Sequence, residues 1–303
     1  MFKGTIVALA TPFTEQDEVD FRILHDLIEW HIEAGTDAIV LCGTTGEAPT
    51  LSESEQIAIF KEGALASRGR IPIIAGTGTY NTNRCIEMTD AAKKAGVDAA
   101  LIVVPYYSRP TPEGCFQHFQ AISKVGLPMI VYHHPGRIGI KLPVKALLRI
   151  SELPNVVAIK DSTADLDYAI ELIQQTSLPV LTGDDTLTLP TMAVGGMGVI
   201  SVIANLIPKE WKQLTSLLLN DKGKEARDLF SRFFPLAKSM FLETNPQCVK
   251  FALGVLGKCS SKMRLPLIEP QEATQNQIIS ELMKIGCIHK QPEESVFDGV
   301  GCH

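Results

Sequence analysis

The sequence lacks the features that mark several common classes of protein. None of its seven cysteines belongs to a C-x-x-C pair, so neither a disulfide framework nor a zinc site is indicated, and we expect reduced thiols in the cytoplasm. No apolar run reaches the roughly 18 residues that a membrane-spanning helix needs, and the amino terminus shows no signal-peptide pattern. The net charge is −6 without a basic stripe, which argues against nucleic acid as a partner.

What the sequence does contain is a regular alternation of short apolar segments with amphipathic helical stretches, from residue 4 to about residue 220. Nearly continuous apolar strands are typical of a parallel sheet that is covered on both faces. The predicted strands are residues 5–10, 38–42, 73–76, 100–104, 129–132, 156–160, 180–182 and 198–202. A length of 303 residues suits either one α/β barrel or two modest domains.

Eight strand–helix units favour a closed (β/α)₈ TIM barrel over residues 1–221, which we expect to be the catalytic domain. The main alternative is a doubly wound open sheet, which usually has fewer strands and often a G-x-G-x-x-G turn after the first. Here the first strand is followed by Ala10-Thr11-Pro12-Phe13-Thr14, so the barrel is favoured. Residues 222–286 contain helical patterns at 224–241, 246–256 and 272–285 and predict a carboxyl-terminal helical extension, and 287–303 predict a mobile tail.

Lys160 ends the apolar run Val156-Val157-Ala158-Ile159. A lysine held in a cleft has a lowered pKa, which supplies the neutral amine that adds to a carbonyl and forms a Schiff base. Most lysines at strand ends are simply solvated, so Lys160 is informative only together with the other strand ends.

In a TIM barrel the active site lies at the carboxyl ends of the strands, because the loops there vary while the strands fix their positions. An amine, hydroxyl groups that can transfer protons and a guanidinium would meet on this rim. The strand ends carry Thr44 and Thr45, Tyr106 and Tyr107, Tyr132 to Arg137, Lys160, and Gly183-Asp184-Asp185.

Three of these features allow an alternative interpretation. The turn Gly43-Thr44-Thr45-Gly46-Glu47 can bind an anion through its backbone N–H groups, or it can be a tight turn only. Arg137 is equally consistent with a surface charge and with a clamp for a carboxylate. His133 and His134 suggest a metal, but neighbouring residues on a strand point to opposite faces and no third ligand stands out, so we expect no metal.

The order and spacing of several motifs resemble the dihydrodipicolinate synthase family, within the pyruvate-dependent class I aldolases and lyases. The resemblance runs from Phe2 to about Ile285. It is carried by Gly43-Thr44-Thr45-Gly46-Glu47, Pro105-Tyr106-Tyr107, Tyr132 with Pro135-x-Arg137, Ile159-Lys160-Asp161, Gly183-Asp184-Asp185, Gly198-Val199-Ile200-Ser201-Val202, Asn245-Pro246 and Arg264-Leu265-Pro266.

The resemblance implies a reaction in which Lys160 forms an imine with pyruvate, and the resulting enamine attacks L-aspartate-4-semialdehyde. This is the first committed step of diaminopimelate and lysine biosynthesis, in the cytoplasm and without a cofactor. The resemblance assigns residue roles as follows: Lys160 as the nucleophile, Thr44, Tyr132 and Tyr107 as a proton relay, Thr45 with backbone at Gly183 and Ile200 as the pyruvate carboxylate site, and Arg137 as the holder of the semialdehyde carboxylate.

The resemblance further implies that Tyr107 reaches across a subunit interface in a homo-oligomer, either a dimer or a dimer of dimers. Two alternatives stay open. One is another pyruvate-dependent aldolase, such as one acting on 2-keto-3-deoxy sugar acids, and the other is a catalytically silent barrel that binds a 2-oxo acid. Arg137 argues against an N-acetylneuraminate lyase, which typically lacks this arginine.

Many members of the family are inhibited by lysine at a pocket near the dimer interface. At the corresponding positions this chain has Glu53, Gln56, Tyr80 and Arg84. Arg84 would repel the ammonium group of lysine, so we expect weak or absent inhibition.

Overall fold

The computed structural model describes residues 2–289, and eight parallel strands within them form a closed barrel in which β1 pairs with both β2 and β8. The strands are β1 (Gly4–Ala8), β2 (Ala38–Leu41), β3 (Ile73–Gly76), β4 (Ala99–Val103), β5 (Met129–His133), β6 (Val156–Asp161), β7 (Val180–Thr182) and β8 (Gly198–Ser201). The closed sheet confirms the predicted TIM barrel and excludes the open-sheet alternative. Of the predicted tail, all but residues 287–289 lie outside the described part.

Helices cover the outside of the barrel and continue beyond it. They are α1 (Phe21–Glu33), α2 (Glu53–Ser67), α3 (Thr82–Ala95), α4 (Pro112–Ser123), α5 (Pro135–Ile138), α6 (Val144–Ser151), α7 (Leu166–Gln175), α8 (Thr188–Ala193), α9 (Pro208–Leu219), α10 (Gly223–Ser239), α11 (Gln247–Val255) and α12 (Glu272–Lys284). Within residues 2–289, no helix combines the length and the apolar character that crossing a bilayer requires.

Local signals in the sequence account for several helix ends. Ser52 and Glu55 form a reciprocal capping box at the start of α2, which satisfies backbone N–H groups that have no partner inside the helix. Gly96 ends α3 with a φ of 88°, a left-handed conformation that costs glycine little because it has no Cβ. The first cap starts α2 after the turn that follows β2, and the second ends α3 just before β4 begins.

The first strand is shorter than the sequence predicts, because a buried side chain replaces its strand partner. The predicted strand 5–10 ends at Ala8. Beyond that point Ala10 N donates to Asn205 Oδ1 at 3.1 Å, and Asn205 Nδ2 donates to Ala8 O at 2.8 Å. The amide of Asn205 thus takes over the role of a neighbouring strand.

Alternation along the strands divides the buried side chains into two layers. On β1, Ile6 points into the barrel and Val7 points toward the helices, as the two-residue period of a strand dictates. The buried side chains of the barrel interior are Ile6, Ala8, Ala38, Val40, Ile74, Ala99, Leu101, Ile130, Tyr132, Ala158, Leu181 and Ile200. These side chains fill the interior below the mouth of the barrel.

The predicted carboxyl-terminal helices are present as α10, α11 and α12. The proposed boundary between barrel and extension, at residues 221 and 222, falls in the turn between α9 and α10. Helix α11 is tied to the carboxyl end of the barrel, because Lys250 Nζ lies 2.7 Å from Glu47 Oε1 in the turn after β2. The extension therefore contributes to the mouth of the barrel.

Candidate active site

Lys160 and Tyr132 lie side by side at the mouth of the barrel. They are register partners on β6 and β5, so strand pairing itself brings them together. The Nζ of Lys160 is 4.0 Å from the centroid of the Tyr132 ring, and the two residues are 7 % and 6 % exposed. The aromatic face attracts the ammonium group, but this attraction offsets only part of the cost of removing the ammonium from water.

Burial governs the protonation of Lys160. Loss of solvation lowers its pKa to about 7, and repulsion by the Arg137 guanidinium acts in the same direction. The carboxyl of Asp185 acts against this decrease. A substantial fraction of neutral amine is therefore present at neutral pH, which is the form that attacks a carbonyl carbon.

Burial also raises the pKa of the Tyr132 phenol, while Arg137, Ser162 and Thr44 act against the rise. Tyr132 therefore carries its proton at neutral pH and can donate it. The polar groups around the phenol can stabilise the oxygen when a proton moves away.

A cavity of about 340 Å³ opens above the Lys160 amine. This volume suits a small polar substrate rather than a polymer. Six of the eight site residues predicted from the sequence line it: Thr44, Thr45, Tyr132, Arg137, Lys160 and Gly183.

The turn after β2 presents Thr45 to this cavity. Glu47 adopts a left-handed φ of 55°, and Glu47 N donates to Thr44 O at 3.1 Å. Thr11 Oγ1 donates to Gly46 O at 2.7 Å, which holds the turn against the start of the chain. Thr45 is 1 % exposed, so its hydroxyl is fixed by the fold rather than free in solvent.

Arg137 lies on the short helix α5 that follows β5. Its guanidinium Nη2 donates to the backbone oxygen of Asn245 at 3.3 Å, and the side chain otherwise borders the cavity. Its positive charge also lowers the Lys160 pKa. This placement favours a role toward an anionic ligand over that of an ordinary surface charge.

Gly183 lies against Lys160 and has no room for a side chain. A methyl group at this position would lie 2.6 Å from Lys160 Cε and would overlap the hydroxyl of Ser162. The backbone of β7 can therefore approach the Lys160 side chain closely only because residue 183 is glycine.

The two remaining predicted site residues lie away from the cavity wall. Ile200 is completely buried in the barrel interior, and Val202 lines the cavity instead. Tyr107 is 90 % exposed in the loop after β4, with a left-handed φ of 67°. Within this one chain, Tyr107 does not reach Lys160.

His133 and His134 face opposite sides of the strand end, as alternation predicts. His133 accepts a hydrogen bond on Nε2 from Leu142 N at 3.1 Å and packs beside the ring of Tyr168, whereas His134 borders the cavity. Burial lowers the pKa of each to about 4, so His134 adds no positive charge at neutral pH. Across the described part of the chain, no three His, Cys, Asp or Glu side chains cluster in a way that could hold a metal ion.

A second cavity of about 430 Å³ adjoins the first and shares Thr44, Tyr132 and Arg137 with it. Its outer end is lined by Gln56 and Arg84, two of the positions considered for lysine regulation. Arg84 forms an ion pair with Glu53, so that carboxylate is already engaged by a cation. The Tyr80 ring packs edge-on against Tyr106, with centroids 5.3 Å apart.

Three further residues lie at the site without a role assigned from the sequence, although two of them, Asp185 and Asn245, belong to motifs named above. Ser162 follows Lys160 by two positions, so strand alternation alone could have placed it on the same face. Asp185 is 1 % exposed and accepts hydrogen bonds from Val202 N and Ile203 N, each at 2.9 Å. Asn245 donates from Nδ2 to Thr45 Oγ1 at 3.0 Å, a contact across 200 positions that no local pattern reveals.

Comparison with known proteins places this geometry in a family. Residues 1–285 match the model of the dihydrodipicolinate synthetase family. A 4-hydroxy-tetrahydrodipicolinate synthase of Geotalea daltonii is 44 % identical over 283 residues, covering 92 % of this chain and 97 % of the relative.

Solved structures agree with the sequence match. A dihydrodipicolinate synthase from Aquifex aeolicus has a TM-score of 0.91 at 42 % identity, covering 93 % of this chain and 98 % of that one. The enzyme from Acinetobacter baumannii, complexed with pyruvate, has a TM-score of 0.93 at 41 % identity and covers 95 % and 100 % of the two chains. The chain, with its buried strand-end lysine beside a tyrosine, belongs to the dihydrodipicolinate synthetase family.

Proposed function

We propose that this protein condenses pyruvate with L-aspartate-4-semialdehyde to give 4-hydroxy-tetrahydrodipicolinate, the first committed step of diaminopimelate and lysine biosynthesis. One observation carries the proposal. The Lys160 amine, with a pKa near 7, lies 4.0 Å from the Tyr132 ring in a cavity that Thr45 and Arg137 also line. A nucleophile thus shares one small space with two separate groups that suit carboxylates.

The first half of the reaction uses pyruvate alone. The neutral amine of Lys160 adds to C2 of pyruvate, the former ketone oxygen leaves as water, and a protonated imine forms. Loss of a proton from C3 then gives the enamine. The Thr45 hydroxyl, with the backbone at Gly183, holds the pyruvate carboxylate during these steps.

The second half forms the carbon–carbon bond. The enamine carbon C3 attacks the aldehyde carbon of the semialdehyde, the aldehyde oxygen takes up a proton and becomes the hydroxyl, and the imine at C2 is restored. The amino group of the semialdehyde then adds to C2 and displaces Lys160, which closes the ring. Arg137 holds the second carboxylate, because a planar guanidinium can bind both of its oxygens.

Each of these steps moves a proton, and we assign this role to Tyr132, Thr44 and Tyr107. Tyr132 and Thr44 border the same cavity. Tyr107, which is 90 % exposed, is free to enter the site of a second copy of the chain, so we propose a homo-oligomer whose smallest competent unit is a dimer. Mixing inactive Lys160→Met and Tyr107→Phe subunits tests this, because hybrid dimers would carry one intact site and regain activity.

Chemical trapping tests the covalent intermediate. Sodium borohydride with pyruvate should reduce the imine and add the mass of one reduced pyruvate to the peptide that contains Lys160. Lys160→Met should abolish the adduct, whereas Lys145→Met, which removes an exposed lysine, should leave it unchanged. An intact wild-type protein that traps no pyruvate would refute the proposal and would favour a catalytically silent barrel.

Two assays test substrate choice. The first measures product formation from pyruvate and L-aspartate-4-semialdehyde, and the second measures release of pyruvate by cleavage of a 2-keto-3-deoxy sugar acid. We expect activity with the semialdehyde and no added metal or cofactor. The sugar-acid alternative is not favoured, because the relatives compared above are synthases of the dihydrodipicolinate type. Turnover of the sugar acid without turnover of the semialdehyde would reverse this assignment.

A further inference from the structure

Asn245 contacts both of the groups that we assign to substrate carboxylates. Its side-chain Nδ2 donates to Thr45 Oγ1 at 3.0 Å, and its backbone oxygen accepts from Arg137 Nη2 at 3.3 Å. Only 9 % of the residue is exposed. We propose that Asn245 is a positioning residue that fixes the direction of the Thr45 hydroxyl, an inference that rests on the proposed function.

The number of available protons determines which way the Thr45 hydroxyl points. With Nδ2 of the amide facing Thr45, Thr45 Oγ1 is the acceptor in this contact, and the amide Oδ1 is buried without a hydrogen-bond partner among the described residues. A threonine hydroxyl has a single proton, and once its oxygen accepts from Asn245 that proton is directed elsewhere. An anionic carboxylate only accepts, so Thr45 serves pyruvate best when its proton points into the cavity.

The energetic consequence depends on charge. A hydrogen bond from a neutral hydroxyl to a carboxylate is stronger than one between neutral groups, and a hydroxyl already directed at the carboxylate need not reorient when the ligand binds. Without the Asn245 amide, the buried hydroxyl of Thr45 would be free to rotate and donate to other acceptors. The affinity for pyruvate would decrease although Thr45 itself is unchanged.

The surroundings keep Asn245 in place. It lies just before α11, and five positions further on Lys250 forms the fully buried ion pair with Glu47. Glu47 belongs to the same turn as Thr45, so the extension contacts this turn through Lys250 as well as through Asn245. The helical extension therefore acts on the pyruvate site through Asn245, and it supports the fold of the turn through Lys250.

Two substitutions at position 245 separate positioning from simple space filling. Asn245→Leu removes the donor at similar size, and we expect the pyruvate concentration for half-maximal borohydride trapping to rise about tenfold, the effect of losing one charge-assisted hydrogen bond. Asn245→Asp conserves shape still better, yet its carboxylate would accept the Thr45 proton and repel pyruvate, so it should impair trapping more than leucine does. A purely structural role would rank aspartate as the milder change, and that result would overturn the proposal.

A double-mutant cycle with Thr45→Val provides the second test. In the Thr45→Val protein there is no hydroxyl to direct, so adding Asn245→Leu should change half-maximal pyruvate by less than about twofold. The same tenfold loss in both backgrounds would refute the proposal. The KM for the semialdehyde should change less than that for pyruvate, since the backbone oxygen that holds Arg137 is retained.

Controls distinguish failure of this inference from failure of the proposed function. Asn276→Asp introduces the same charge at an exposed site on α12 and should have no effect on trapping. If Asn245→Leu does not fold by circular dichroism, Asn245→Ala serves in the same cycle. Trapping by the wild type without any change in the Asn245 variants overturns only the positioning role, whereas absence of trapping in the wild type overturns the proposed function.

Discussion

Lys250 on α11 and Glu47 in the turn after β2 form an ion pair with an Nζ–Oε1 distance of 2.7 Å, and neither side chain is exposed. The second carboxylate oxygen of Glu47 accepts a hydrogen bond from Arg264 N at 3.1 Å. The Lys250 ammonium also lies 4.2 Å from the centroid of the Phe13 ring. A single buried carboxylate thus joins the barrel to two parts of the extension.

Removing one partner of this pair should strongly destabilise the protein. Lys250→Met leaves the Glu47 charge buried without its partner, so we expect the free energy of unfolding to decrease by about 3–5 kcal/mol. Equilibrium denaturation in urea measures the change. The double variant Lys250→Met with Glu47→Gln should recover part of the loss, and the surface control Lys284→Met should cost less than about 1 kcal/mol. Equal effects at positions 250 and 284 would contradict the importance of burial.

Imine formation should depend on pH through Lys160. Since its pKa is about 7, the neutral, reactive amine predominates above that pH, and roughly one tenth is neutral at pH 6. The rate of cyanoborohydride trapping with pyruvate should therefore rise as the pH increases from about 6 to about 8 and then level off. A rate that keeps rising toward pH 10 would indicate an ordinary, solvated lysine.

Replacement of Arg137 should move that profile. The guanidinium lowers the Lys160 pKa, so Arg137→Leu should shift the midpoint of trapping to higher pH. The same variant should raise the KM for the semialdehyde by about tenfold or more, because a charge-assisted contact to a carboxylate is lost. The exposed Arg227→Leu on α10 serves as the control and should leave both quantities unchanged. An unshifted midpoint would show that Arg137 does not act on Lys160.

A side chain at position 183 should strongly impair the reaction with pyruvate. Gly183→Ala places a methyl group 2.6 Å from Lys160 Cε, which forces the nucleophile out of position. We expect trapping with pyruvate to fall by about a hundredfold, as a misplacement of about 1 Å can cost that much. The matched control is Gly223→Ala at the start of α10, where an added methyl meets nothing within 4 Å. Full activity of Gly183→Ala would show that the backbone after β7 can shift to accommodate the methyl group without moving Lys160.

Feedback inhibition by lysine should be weak or absent. Arg84 lies at the outer end of the second cavity and is paired with Glu53, so an incoming ammonium meets a cation and an occupied carboxylate. Titration of lysine to millimolar levels in a steady-state assay measures this, and half-inhibition below a millimolar would count against it. Arg84→Met frees Glu53 and should increase whatever sensitivity is present.

The order of elements and the barrel class could be predicted from the sequence because they depend on local periodicity. Each strand is a nearly continuous apolar run, and the ends predicted for β3 and β7 coincide with the observed ones. Strand pairing then places Tyr132 beside Lys160 without further information. The sequence thus determined the fold class and predicted that Lys160 and Tyr132 end neighbouring strands at the mouth of the barrel.

Only the tertiary structure decided how the extension completes the site. Asn245 and Thr45 are 200 positions apart, and no periodicity relates an asparagine before α11 to a threonine after β2. The lowered pKa of Lys160 likewise depends on burial and on the distance to Arg137, which are properties of the folded chain. Hydrogen bonds and electrostatic fields act through space, whereas sequence patterns report only what neighbours along the chain require.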